Sequence, residues 1–323
     1  MRQRLINKTA QPQETLLTAG RMAARSAVVT EAVSLPSLLF DSTLSKEDWI
    51  EGLKHHSKTL TNLLLNDQIK DFNAYLESEL GSGVSELKRG ITEIDYKPVL
   101  QDLLQTAILI EHSTIPPYLT ALYSIKDGTN ALASQIIRSV AVEEMLHLIM
   151  VCNVLNAIDI QPSVNKQENY PTYPMKLPMN VDFYVGLETF SSNSIATFIA
   201  IESPSQPLVK APKYDHEADT SALYSQRTAV QENNFWTLEN MKGFIMENVH
   251  TIGEYYDVLF FYIVIFQIIA YFKDHGKLPT NFEELNTGGI FTGNPAKQIR
   301  PEQYYGSGGK LHSVEALDGV IAV

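Results

Sequence analysis

The sequence predicts a mainly α-helical protein, a helical bundle with long irregular loops and a helical N-terminal extension. Three observations carry this expectation. Apolar residues recur at helical spacing from Pro98 to Ile125, from Asn130 to Ile158 and from Thr251 to Phe272. Proline- and glycine-rich sequence, such as Tyr170-Pro171-Thr172-Tyr173-Pro174 and Gly81-Ser82-Gly83, separates the periodic segments. Inside the periodic segments, Glu111, Glu144 and His147 stand where the pattern demands apolar residues.

The elements follow in order. Ser45 with Asp48 three residues on, then Trp49, Ile50 and Leu53, reads as a helix start. A second amphipathic segment runs from Ile69 to Leu80 and stops at Gly81. Residues 1–95 are taken as the helical extension and 96–323 as the main, metal-binding domain. In the first long helix the pair Pro116-Pro117 is expected to kink or break the chain, because proline lacks a backbone donor and clashes with the preceding turn. Residues 159–190 read as an extended loop and Ser194 to Glu202 as a short helix ended by Ser203-Pro204. Residues 204–234 are polar and read as a surface excursion of the kind that forms lids, followed by a helix from Thr237 that joins the one at Thr251. The tail from Thr287 is glycine-rich, with little regular structure expected before Val314.

Composition narrows the function. The chain has 323 residues, 44% hydrophobic and 19% charged, with a net charge of −12. So acidic a surface argues against nucleic-acid binding, which needs basic side chains to neutralise phosphates. The lone cysteine, Cys152, permits no intrachain disulfide, which suits a reducing, cytoplasmic location. The first 30 residues lack the continuous apolar core of a secretory signal. The most apolar run, Val258 to Phe272, is 15 residues long and interrupted by Gln267, short of the ~20 needed to span a bilayer. No membrane span is expected. The pair His55-His56 is expected at the surface.

The chemistry lies in the inward polar residues. Glu111 shares a helical face with Leu104, Ala107, Ile108 and Ile115, and a buried carboxylate costs several kcal/mol unless paired or coordinated. Glu144 and His147 are three residues apart, which places an oxygen and a nitrogen ligand on adjacent turns of one face. A Glu-x-x-His pair with a Glu from another helix is the half-site of di-iron and di-manganese carboxylate bundles. For the second half-site the candidates are Glu202, Glu254 and His250, with Asp257 a turn beyond. Thr251-x-x-Glu254 is also a capping-box pattern, so Glu254 has a purely structural alternative. Tyr118, Tyr123, Tyr255 and Tyr256 are candidates to line the cavity, with core packing as their ordinary role.

These residues carry a resemblance. Leu103 to Ser124 (LLQTAILIEHSTIPPYLTALYS) and Ile137 to Ala157 (IRSVAVEEMLHLIMVCNVLNA) are similar to the ferritin-like domain of the iminophenyl-pyruvate dimer synthase family. The Pro-Thr-Tyr-Pro loop, Phe198 to Pro204, Thr251 to Tyr256 and the tail from Gln298 to Gly309 also fit, so the likeness spans roughly 98–323. Members of that family couple amino-acid-derived imines oxidatively in bisindole pigment and antibiotic pathways. The resemblance implies non-haem iron held by Glu111, Glu144, His147 and Glu254. The pathway enzymes are much longer than this chain, so their named reaction is not carried over. Their pattern also continues into a further acidic helix. The site here is therefore expected to be completed by His250 or Glu202, or by a homo-oligomer or partner chain that closes the bundle.

The expectation is a di-iron oxidase or oxygenase, with two iron ions or alternatively manganese, acting with dioxygen on a small organic substrate in specialised metabolism. Its rivals are a ferritin-like metal-binding or storage protein and a metal-free interaction scaffold. Long loops at 159–190 and 204–234 suit a substrate pocket better than a cage subunit.

Overall fold

The computed structural model describes residues 33–40, 44–65, 69–81, 95–203, 243, 245–305 and 309–322. The polar stretch 204–234 and the helix start at Thr237 lie outside the described residues. The main helices are α1 (Leu35–Phe40), α2 (Lys46–Leu65), α3 (Ile69–Gly81), α4 (Tyr96–Ser124), α5 (Ala131–Ala157), α6 (Ser192–Ile201), α7 (Ile252–His275), α8 (Phe282–Leu285) and α9 (Leu317–Ile321). No strand is found among the described residues.

The tightest pairing is α4 with α5, joined by the short connection 125–130. Helix α7 packs on α4 and also on α2, while α6 lies against α4. In its described part, the segment expected as an extension is thus a wall of the bundle. Leu35, Trp49, Leu53, Leu60 and Phe72 belong to one continuous apolar core with α4, α5 and α7. Ser45 starts α2, its hydroxyl accepting the Asp48 backbone N–H at 3.1 Å and donating to the Asp48 carboxylate at 2.7 Å. A first-turn donor that would otherwise lack a partner is satisfied this way.

His56 departs from its expected surface position. It shares a face of α2 with Leu53 and Leu60 and is 1% exposed, whereas His55 stays exposed. Its Nε2 lies 2.7 Å from the Val33 carbonyl and its Nδ1 2.6 Å from the Tyr75 hydroxyl. A carbonyl only accepts, so Nε2 carries the proton and Tyr75 donates to Nδ1. Burial lowers the pKa of His56 from its ordinary value, which keeps the ring neutral and this arrangement intact.

Helix α4 runs through Pro116 and Pro117 without the break that the pair could have caused. The carbonyl of Ser113 loses its helical donor, because residue 117 is a proline. Tyr173, in the loop after α5, donates its hydroxyl to that carbonyl at 2.8 Å and replaces the missing bond. Tyr173→Phe should therefore leave a buried carbonyl unpaired and lower stability by about 1–3 kcal/mol in urea unfolding, with an unchanged m-value.

Helix α7 has 24 residues, more than the apolar run suggested. By length and composition α5 and α7 could each cross a bilayer, but 78% of the apolar window of α7 is buried inside the fold. Gln267, the one interruption, is itself buried. It donates to the Leu285 carbonyl at 2.6 Å and accepts from the Ile290 N–H at 2.9 Å, clamping the loop after α8. The tail is held to α5 in the same way: Asn153 donates to the Ile299 carbonyl and accepts its N–H, both at 2.9 Å.

Candidate metal centre

The candidate centre lies where α4 meets α5. Ile137, Ala141, Glu144, Leu148 and Val151 follow one another at spacings of three and four, so Glu144 is carried into the interior by the apolar face of its own helix. Glu111 enters from α4 between Ala107, Ile108 and Thr114. Glu111 is 2% exposed and Glu144 5%. The His147 side chain is 34% exposed and forms the open edge of the cluster.

The imidazole Nδ1 of His147 stands 3.5 Å from Glu111 Oε2 and 3.6 Å from Glu144 Oε1. One ligand atom from each residue lies within 4.8 Å of the other two. These spacings exceed ordinary hydrogen bonds. They come close to the roughly 3.0–3.4 Å that separates neighbouring ligands set about 2.1 Å from one cation. The donor set of two carboxylates and an imidazole also suits a divalent transition metal. The residues present therefore fit an ion.

The outer oxygens are held separately. Thr114 donates to Glu144 Oε2 at 2.7 Å, with the Glu111 carbonyl also in reach of its hydroxyl at 2.8 Å. Tyr256, arriving on α7, donates to Glu111 Oε1. Burial pushes the pKa of Glu144 up, against the neighbouring His147 imidazole and the hydrogen bond from Thr114. Burial alone would depress the His147 imidazole, but Glu111 and Glu144 outweigh it and hold its pKa up to about 10. A cation entering the cluster must displace that proton.

The other expected ligands sit elsewhere. Glu254 accepts the His250 backbone N–H at 2.8 Å, and its own N–H bonds the Thr251 hydroxyl at 3.1 Å, so it caps the start of α7. The capping alternative therefore accounts for it. Glu254 is two residues from Tyr256 and so projects from a different face of α7. His250 is exposed, with Nδ1 3.0 Å from the Asn180 carbonyl. It closes a second Glu-x-x-His, Glu247 to His250, and both of those residues are exposed. Asp257 faces Thr61 and Lys58 of α2. Glu202, at the C-cap of α6, is exposed and accepts the Tyr118 hydroxyl at 2.8 Å. Tyr118 is buried, and the charges of Glu144 and Glu111 bear on it after that of Glu202. Glu202 is thus linked to the centre through Tyr118 without joining the cluster. Tyr255 donates to the Leu103 carbonyl in the core, and Tyr123 is 79% exposed. Of the four tyrosines, Tyr256 is the one that bonds a clustered carboxylate.

The sequence reading did not single out Thr114. Its signal was present, since it lies one turn beyond Glu111 on the same helix. A groove of about 500 Å³ on the outer face of α6, lined by Phe190, Ile195 and Ile199 among others, contains none of the three clustered residues.

In comparison with known families, the Ferritin-like family model matches residues 104–323. That span holds Glu111, Thr114, Glu144, His147 and Tyr256. Comparison with curated proteins and with solved structures returns no match.

Proposed function

Because this chain belongs to the ferritin-like family, we propose that it is a non-haem iron oxidoreductase that uses dioxygen to oxidise a small, amino-acid-derived substrate. One observation carries the proposal: two buried carboxylates and an imidazole converge inside the bundle at ligand-like spacing. Two carboxylates are costly to bury side by side, and with the imidazole they offer a cation two oxygens and a nitrogen in place of the His147 proton.

Glu111, Glu144 and His147 are the ligands. Iron bound there supplies electrons and open coordination positions for dioxygen. The chain's own residues do the rest. Tyr256 and Thr114 hold the far oxygens of the two carboxylates and so fix their orientation. Ala141, Ile108 and Leu148 form apolar walls that exclude water. His147, partly exposed, marks the side from which dioxygen and substrate enter. The substrate class rests on the likeness of residues 103–124 and 137–157 to the iminophenyl-pyruvate dimer synthase family.

The test is oxygen uptake by protein loaded anaerobically with iron(II), with and without amino-acid-derived imines. Uptake stimulated by an imine and stoichiometric with its product supports the oxidase. Uptake limited to oxidation of the added iron supports metal storage instead.

A further inference from the structure

We propose that the bundle holds one metal ion per chain rather than two. The inference rests on the metal site proposed above and concerns how many ions that site admits. In a two-ion carboxylate centre the ions lie about 3.5–4 Å apart, and shared carboxylates turn one oxygen toward each ion. Here Tyr256 donates to Glu111 Oε1 and Thr114 to Glu144 Oε2. Each carboxylate thus turns one oxygen toward His147 while its other oxygen already accepts a hydroxyl of the chain.

Among the described residues the opposite wall supplies no replacement ligands. Two-ion bundles draw a second Glu-x-x-His and a further carboxylate from the facing helices. On α7 the residues that share the face of Tyr256, at three, four and seven positions away, are Ile252, Gly253, Leu259, Phe260 and Ile263. None has a metal-binding side chain. Among the described residues the second Glu-x-x-His, Glu247 to His250, is exposed, and its histidine ring turns to the Asn180 carbonyl. The carboxylate of Glu202 is engaged by Tyr118. The described residues give one complete half-site capped by a phenol and a threonine hydroxyl.

The test is an anaerobic titration of the full chain with iron(II), followed by desalting, metal analysis and electron paramagnetic resonance after oxidation. His147→Ala serves as the baseline for surface-bound metal. The expected result is one iron per chain above that baseline, with an isolated high-spin ferric signal that accounts for all of it. Two irons per chain with a coupled, resonance-silent ferric pair would overturn the count and leave the metal site standing. No iron above the baseline would overturn both.

Discussion

Replacing His147 with alanine should weaken iron(II) binding by about 100-fold or more, measured by competition with a chelator of known affinity. Loss of a partner that merely orients a ligand costs about 10- to 100-fold, and His147 is a ligand itself. Its Nδ1 is the atom that faces both carboxylates. Glu144→Ala should match it, since it removes a buried oxygen and strands the Thr114 hydroxyl that donates to it. The contrast lies at the start of α7. Glu254→Ala and His250→Ala should leave affinity within about twofold, because one caps a helix and the other points to a loop carbonyl. Glu254→Ala should instead cost about 1 kcal/mol of stability, in the usual range for a lost cap. A metal affinity that falls as far in Glu254→Ala as in His147→Ala would place the ligands differently.

The second large effect is thermal. A ligand that binds only the folded chain stabilises it by about 4.1 kcal/mol at a thousandfold excess over its dissociation constant. For a chain of this size that raises the melting temperature by roughly 6 °C. The double variant Glu111→Gln, Glu144→Gln should lose the whole metal-dependent shift. Without metal, its melting temperature should equal or exceed that of the wild type. Amides of the same shape keep acceptors for Tyr256 and Thr114 and remove two buried negative charges. Differential scanning calorimetry of both proteins, with and without iron(II), makes the comparison. A drop of many degrees in the metal-free variant would mean that the cluster is a structural ion pair, as a metal-free scaffold requires.

Helical periodicity made the helical fold and the inward placement of three polar residues legible in the sequence. Glu111, Glu144 and His147 interrupt apolar faces, and a local repeat of three and four is enough to show that they share an interior. What periodicity could not reach were contacts between residues far apart in the chain. The bond from Tyr173 to the Ser113 carbonyl, which lets α4 continue through two prolines, joins residues 60 positions apart. The bond from Tyr256 to Glu111 spans 145 positions. Neither leaves a local signature. His56 stands next to an exposed His55, yet its spacing to Leu53 and Leu60 carries the signal of its burial. At Glu254 two local patterns competed, a ligand beside an apolar helix and a capping box, and the backbone donors at the start of α7 decided for the cap. Glu202, expected to point inward, is exposed at the end of a helix only ten residues long and meets Tyr118.

The most direct measurement is a crystal structure of the iron-loaded chain with anomalous data collected at the iron edge. An anomalous peak within coordination distance of His147 Nδ1, Glu111 Oε2 and Glu144 Oε1 is the predicted result. A fully loaded crystal with its iron elsewhere, and His147 still paired directly with the two carboxylates, would contradict it.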